Sequence, residues 1–571
     1  MSREASKVAG DLTPTHNGYG GAGRVPTECR TGILPVYSHT KTGWKPVLLF
    51  DRSAIASRSF SERVRSPVTQ FCTEATYPRE RNALALYSKS AMIHSMLFRS
   101  PLIPFSRSST ALTRLLAFSI CIFLHASICL GSPNIVLILT DDQGYGDASC
   151  YWPDTDLRTP VMDRVAENGI RFTQFRVNPL CAPTRASILS GTYSIYNGMW
   201  RGPSRPKTDP AAGKVIKPDT RVVHDDVLML PHFLKQAGYA TGIFGKWHLG
   251  YDEDNVPNAR GFDEFVGFLS GAHPYTWSKN SRILRNDQPL KTDKHFTDLF
   301  ADEAIRFIVE NKDNPFFCYL PFNAVHGPLR SEKRNTDSAR PDWLKHYEER
   351  GVEQPRRDYN AVMGHADDRV GDVLDTLDKL GLTANTLVIY LSDNGGMTHT
   401  YPSNNGPLRG GKGNAWEGGI RVPAVMQWPG TIPSGSVSHA NATHFDLFST
   451  ILDIANIRIP DTNGPIPVKG VSLEDHLKSG GSGPLPERTL FWDLFGASAA
   501  LRGHWKLVAH LDNHNGDFGQ AAVNARGATF ELYNLSTDLS ESRNLAAEHP
   551  DTYQELKTQL VAWLDGASSA K

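Results

Sequence analysis

Asn134-Ile-Val-Leu-Ile-Leu-Thr140, followed at once by Asp141-Asp142, is the stretch on which the fold turns. Seven residues of almost unbroken apolar character have the length of a strand. A strand without polar alternation is covered on both faces, as in a parallel α/β sheet. Thr386-Leu-Val-Ile-Tyr-Leu-Ser392 repeats the pattern and runs into Asp393-Asn394-Gly395-Gly396. Tyr239 to Gly245 leads into Lys246-Trp247-His248, and Phe316 to Phe322 leads into Asn323-Ala324-Val325-His326. Ligands bind outside the carboxyl ends of strands in open α/β sheets, so these four turns are expected to converge on one crevice.

An Asp after a strand is more often a helix cap or turn former than a ligand. Capping does not account for carboxylates and an amide gathered on two strand ends while Lys and His occupy two others. Asp141, Asp142, Asp393 and Asn394 offer only oxygen, which suits a hard divalent cation and argues against zinc. Calcium or magnesium is the metal implied. Cys181-Ala182-Pro183-Thr184-Arg185 adds a reactive group. Pro183 suits a first helical turn that Thr184 to Leu189 can continue, so Cys181 sits where unpaired backbone N–H groups and the helix dipole favour negative charge. A lone cysteine is usually a small buried apolar residue; the acidic and basic turns elsewhere shift the balance toward chemistry on an oxyanion ester.

Together these residues resemble the formylglycine-dependent (type I) sulfatase family of the alkaline-phosphatase-like superfamily. The likeness is carried by Thr140 to Gly144, Cys181 to Arg185 with Leu189-Ser190-Gly191, Gly245 to Gly250, Leu391 to Gly395, Pro407 to Lys412 and Glu417 to Pro423. These segments run in family order from about Ser132 to the C-terminus. The resemblance implies that Cys181, in a complete Cys-x-Pro-x-Arg signal, is converted to formylglycine by a formylglycine-generating enzyme. It implies that Asp141, Asp142, Asp393 and Asn394 bind calcium, with magnesium as the alternative, together with the modified Cys181. Arg185, Lys246 and Lys412 are the implied cationic clamp for the sulfate oxygens, which otherwise repel a nucleophile. One hydroxyl of the hydrated aldehyde attacks sulfur in similar enzymes. The resemblance implies that His326, with Lys412, then protonates the leaving oxygen and that His248 removes a proton from the remaining hydroxyl so that sulfate is expelled. A plain serine lacks that second hydroxyl. Arg421 and Glu417 are expected to form a supporting ion pair; His273 and His365 have no role in these motifs, with pocket lining an open alternative for His273.

The implied reaction is hydrolysis of a sulfate monoester on a small molecule or polysaccharide, with a sulfated carbohydrate as the expected class. Two rival readings are a phosphomonoester or phosphonate-ester hydrolase of the same superfamily and a non-catalytic binding homologue. The second predicts a missing nucleophile, ligand or clamp residue, and none is missing.

A chain of 571 residues exceeds one core. The expected fold is α/β: a large mixed, mostly parallel sheet sandwiched by helices, then a small C-terminal α+β subdomain with an antiparallel sheet and one helix. Residues 1–95 match nothing in the family, 96–132 read as a signal peptide, 133–466 as the catalytic domain and 467–571 as the C-terminal subdomain. The signal reading rests on Arg99, Arg107 and Arg114 ahead of the apolar Leu115 to Leu130, and places translation start at Met96 or Met92 and the protein outside the cytoplasm, secreted or periplasmic. Lys and Arg balance Asp and Glu at 60 each, but residues 1–132 hold 16 against 7, leaving an acidic body with 44 against 53. An acidic body gives no basis for nucleic-acid binding, and no stable membrane partner is expected. Of seven cysteines, only Cys150, Cys181 and Cys318 follow the leader.

Overall fold

The computed structural model describes residues 37–40, 43–46 and 132–569, with breaks at 204–206, 210–213, 218–220, 280, 328, 332–335, 495–496 and 511–527. The proposed signal segment and most of the preceding head lie outside the described residues. The chain divides into two compact units, 1–108 and 109–571. In the first, Tyr37–Thr40 and Gly43–Pro46 pair as an antiparallel hairpin. All that follows concerns the second.

Its centre is a ten-stranded sheet. In chain order the strands are β1 (Asn134–Thr140), β2 (Ile170–Phe172), β3 (Ala240–Lys246), β4 (Glu264–Phe268), β5 (Leu284–Arg285), β6 (Gln288–Pro289), β7 (Phe316–Pro321), β8 (Thr386–Ser392), β9 (Ala424–Gln427) and β10 (Ser436–Ser438). Their spatial order is β6-β5-β4-β3-β7-β1-β8-β9-β2-β10. The run β4-β3-β7-β1-β8 is parallel throughout, and β9 runs against β8. The sheet is thus mixed and mostly parallel.

Every residue of β1 is buried, because its side chains alternate between two separate cores. Val136 and Ile138 join the core under helices Pro160–Glu167, Phe296–Glu310 and Arg356–Lys379. Ile135, Leu137 and Leu139 join the core under Cys181–Ser190, Leu230–Gln236 and Asp446–Ile454. Register then places the chemistry. Thr140 pairs with Ser392 at the ends of β1 and β8, so Asp141 and Asp393 leave the sheet side by side. The Asp141 N–H donates to the Ala324 carbonyl and the Val325 N–H to the Asp141 carbonyl, each at 2.7 Å, which ties the turn after β7 to the same point.

The C-terminal part forms a second, four-stranded antiparallel sheet of β11 (Leu490–Leu494), β12 (Ala497–Arg502), β13 (Trp505–His510) and β14 (Thr529–Asn534). Ala500 and Ala509 leave room on one face for helix Pro550–Ser569, which lays Leu556, Leu560 and Leu564 against Leu507 and Leu532. The other face places Trp492, Val508 and Tyr533 in a core with Tyr193, Trp416 and Phe445. The Trp492 Nε1–H donates to the Val177 carbonyl at 2.9 Å, which ties this sheet to the segment leading into Cys181. Trp492→Ala is expected to cost about 3–5 kcal/mol of stability, read as a lower denaturation midpoint. Trp492→Phe, which keeps the ring and loses the hydrogen bond, should cost markedly less.

Candidate active site

The helix Cys181–Ser190 begins at Cys181 itself, after Leu180 in an extended conformation, and ends on Gly191 in the left-handed region at φ 75°. A Cβ at Gly191 would lie 2.5 Å from the Phe448 ring, so glycine is required there twice over. Cys181 is buried at the crevice, with its sulfur 3.3 Å from His248 Nδ1. His248 and Asp142 both take positive φ, 62° and 69°. Non-glycine residues in that region carry a conformational cost that a surrounding structure must impose. Here it aims one side chain at the cysteine and the other at Lys412.

All ten residues singled out in the sequence come together. Lys246 is the last residue of β3, fully buried, with its ammonium on Asp141. Arg185 lies beneath it, also fully buried. Its Nε and Nη2 reach Asp393 Oδ2 at 2.9 and 2.6 Å, and its Nη1 donates to the Lys246 carbonyl at 3.0 Å. Lys412 pairs with Asp142 and stands 4.0 Å from Asp141. Asn394 donates to Asp142 Oδ1 at 2.7 Å. His326 places Nε2 3.9 Å from Asp142 Oδ2 and donates from Nδ1 to the Gly327 carbonyl at 2.8 Å. Three buried carboxylates therefore face three buried cations, the pairing that makes buried charge tolerable.

The pairing is incomplete in a telling way. Asp141 Oδ1, Asp142 Oδ2, Asp393 Oδ1 and Asn394 Oδ1 are buried without a hydrogen-bond donor. An unpaired buried oxygen is costly, and four on neighbouring side chains form an all-oxygen donor set of the kind a hard dication takes. Ligand atoms of Asp141, Cys181 and Asp393 lie within 4.8 Å of one another. The residues thus fit a divalent metal.

Burial raises the Asp141 carboxyl, but Lys246, His326, Lys412 and Arg185 outweigh it and hold it well below the usual carboxylate range. Burial and the negative Asp141 raise Asp393 despite Arg185. Burial also raises the Cys181 thiol, yet Lys246 and Lys412 bring it below its ordinary value. Burial, with Lys246 and Arg185, pushes His248 far down, so its ring is neutral. A cavity of about 470 Å³ opens over Cys181, His248, His326 and Lys412, with Arg201 and Met397 also in its wall. Met397 carried no chemical signal in the sequence; its proximity follows only from the turn after Asn394.

Arg421 does pair with Glu417, at 3.5 Å, but Arg176 at 2.8 Å and Lys506 at 2.9 Å hold that carboxylate more closely. His273 is a structural residue: its Nδ1 meets the Pro274 carbonyl, its Nε2 accepts from the Arg282 N–H, and its ring packs on Phe268 and Phe296. A second cluster, His295, Asp298 and His365, also has metal-like spacing. Both nitrogens of His295 have partners, and Asp298 already faces Arg340 and Arg369, so it is a polar network between helices.

The fold sets buried carboxylates, buried cations and a cysteine together at the carboxyl ends of the parallel strands of a mixed sheet. The chain belongs to the sulfatase family, whose model matches residues 133–457. It is 32% identical to the human N-acetylgalactosamine-6-sulfatase over 408 residues, 68% of this chain and 71% of that protein. The match to the rat protein of that name reaches 34% but spans 63% of its length. A sulfatase from Formosa agariphila is 30% identical over 506 residues, 76% of this chain and 88% of that one. Among solved structures, that of Ps i-CgsB in complex with k-i-k-neocarrahexaose superposes with a TM-score of 0.65 at 26% identity, covering 76% of this chain and 93% of the other. The phosphonate monoester hydrolase SpPMH of Silicibacter pomeroyi shares the fold, at TM-score 0.52 and 19% identity over 75% of this chain and 94% of that one.

Protein stripped with a chelator should melt at lower temperature than protein supplied with calcium or magnesium, the difference reaching about 2.7 kcal/mol when cation stands at 100 times its Kd. Asn394→Ala should shrink that gain. A melting temperature indifferent to every divalent cation would contradict the metal reading.

Proposed function

We propose that this protein is a calcium-dependent sulfatase that hydrolyses a sulfate monoester of a sulfated carbohydrate, with Cys181 converted to formylglycine. The observation that carries the reading is the set of four unpartnered buried oxygens beside the Cys181–His248 pair. The carbohydrate assignment draws on relatives named for N-acetylgalactosamine-6-sulfate chemistry and on the neighbour in complex with a neocarrahexaose.

Asp141, Asp142, Asp393 and Asn394 would hold the calcium, which supplies positive charge to the sulfate oxygens. Formylglycine supplies a hydrated aldehyde, a nucleophile with a second hydroxyl in reserve. The chain's own groups do the rest. Lys412 and Lys246 cancel the charges of Asp142 and Asp141 and present cationic hydrogens to an incoming anion. Arg185, hydrogen-bonded to Asp393 and the Lys246 carbonyl and 3.8 Å from Asp141, acts chiefly by holding these carboxylates in place. His248, neutral and beside position 181, accepts a proton there. His326 uses Nδ1–H on the Gly327 carbonyl, so a proton it delivers to the leaving oxygen leaves from Nε2, where Asp142 supports the charged ring. Lys412 assists at the same oxygen.

The division into a catalytic domain over 133–466 and a C-terminal subdomain over 467–571, and the secreted or periplasmic address after a signal at 96–132, belong to the same reading. No helix among the described residues is long and apolar enough to cross a membrane.

Mass spectrometry of the Cys181 peptide from active protein should show a loss of about 18 Da relative to cysteine. Cys181→Ala should lose turnover while keeping its melting temperature within a few degrees. Nitrophenyl sulfate should be the preferred chromogenic ester; dominant turnover of nitrophenyl phosphate would favour the phosphoester rival.

A further inference from the structure

We propose that Lys506 and Glu541, supplied by the C-terminal sheet and the loop after it, are positioning residues for the metal and anion site. They fix the segment that carries Lys412 and backs Asn394. The inference rests on the sulfatase reading and deepens it by giving the C-terminal sheet a part in the chemistry.

Lys506, on β13, is fully buried, as are Glu417 and Glu541. Its ammonium lies 2.9 Å from Glu417 Oε1 and 2.8 Å from Glu541 Oε1. Glu541 Oε2 also accepts the Glu417 backbone N–H at 2.7 Å. One carboxylate thus receives the first N–H of the turn Glu417–Ile420 while its other oxygen holds the lysine that grips the Glu417 side chain. Glu541 itself takes positive φ, 49°, an outlier that marks a side chain aimed by its surroundings. Its carbonyl receives Arg409 Nη1 at 2.7 Å, and Arg409 lies 3.6 Å over the Trp416 ring. The segment 409–417 is therefore pinned from the C-terminal side at both ends.

Lys412 stands inside that segment. On its far side the segment is locked to the metal turn: the Lys412 N–H donates to the Gly396 carbonyl at 3.1 Å and the Gly395 N–H to the Gly419 carbonyl at 3.1 Å. The glycines leave no slack. A Cβ at Gly395 would lie 1.8 Å from the Gly418 carbonyl oxygen, and one at Gly411 would lie 2.4 Å from that of Gly396. A shift of Glu417 must therefore move Gly418 and Gly419 against Gly395, next to Asn394, and displace Lys412 from Asp142. Close-packed backbone transmits such displacements because it has no free volume to absorb them.

The test uses the full chain at a temperature well below each variant's melting point, reading kcat and KM on nitrophenyl sulfate and, separately, the calcium concentration at half-maximal thermal shift. Lys506→Met is expected to lower kcat by about tenfold or more with KM within about threefold, and to raise the calcium midpoint by about fivefold. Leu507→Ala, which loosens the opposite face of the same sheet against the C-terminal helix, should lower the melting temperature and leave both readouts within about twofold. Lys506→Arg should recover most of the loss. A folded Lys506→Met with unchanged kcat and calcium midpoint overturns the proposal, as does a Leu507→Ala that loses as much. If Lys506→Met fails to fold, Glu541→Gln keeps an oxygen for the Glu417 N–H and removes the charge facing Lys506. Losses of about threefold in both readouts support the proposal and unchanged values overturn it. Should the unmodified sequence release no sulfate while the calcium midpoints still move as stated, positioning stands and the sulfatase reading falls.

Discussion

Burying Asp141, Asp142 and Asp393 at the ends of adjacent strands is the constraint to which the rest of the site answers. Carboxylates removed from water need compensation close by, and Arg185, Lys246 and Lys412 provide it from three other parts of the chain. Three charges of each sign make the centre balanced before anything binds. A dication alone would leave two units of excess positive charge, and an anionic monoester bound beside it removes one of them. Burial, with Lys246 and Arg185, keeps His248 neutral, while Lys246 and Lys412 outweigh burial and lower the Cys181 thiol below its ordinary value.

The sheet was readable because β1 and β8 are buried on both faces and carry no competing polar pattern; both strands begin and end where their apolar runs do. Helix Cys181–Ser190 was readable for a similar reason, with a proline inside its first turn and a glycine after its last residue. Strand β12 was not. Its Ala-Ser-Ala-Ala-Leu-Arg sequence lacks the branched and aromatic residues that mark strands, because small side chains are what its face needs beneath the C-terminal helix. Lys246 illustrates the limit of boundaries: it belongs to β3 rather than to the turn after it.

The ten site residues were legible as a set since each stands in a turn at a strand end or in the Cys181 helix. What no motif conveys is the hierarchy among them. Arg185 reads as an anion clamp in sequence, and the structure adds that its guanidinium is held by Asp393 and the Lys246 carbonyl, with Asp141 3.8 Å away. Lys506 and Glu541 stand in no motif that marks them in the sequence. They are buried together with Glu417, from which they lie 89 and 124 residues away in the chain, beyond the reach of local pattern.

A crystal grown with calcium addresses the central claim most directly. The account predicts one ion bound by oxygens of Asp141, Asp142, Asp393 and Asn394, with residue 181 completing its coordination, and Lys412 still beside Asp142. Density showing that pocket filled only by water at saturating calcium, with the four oxygens turned toward new donors, would contradict it.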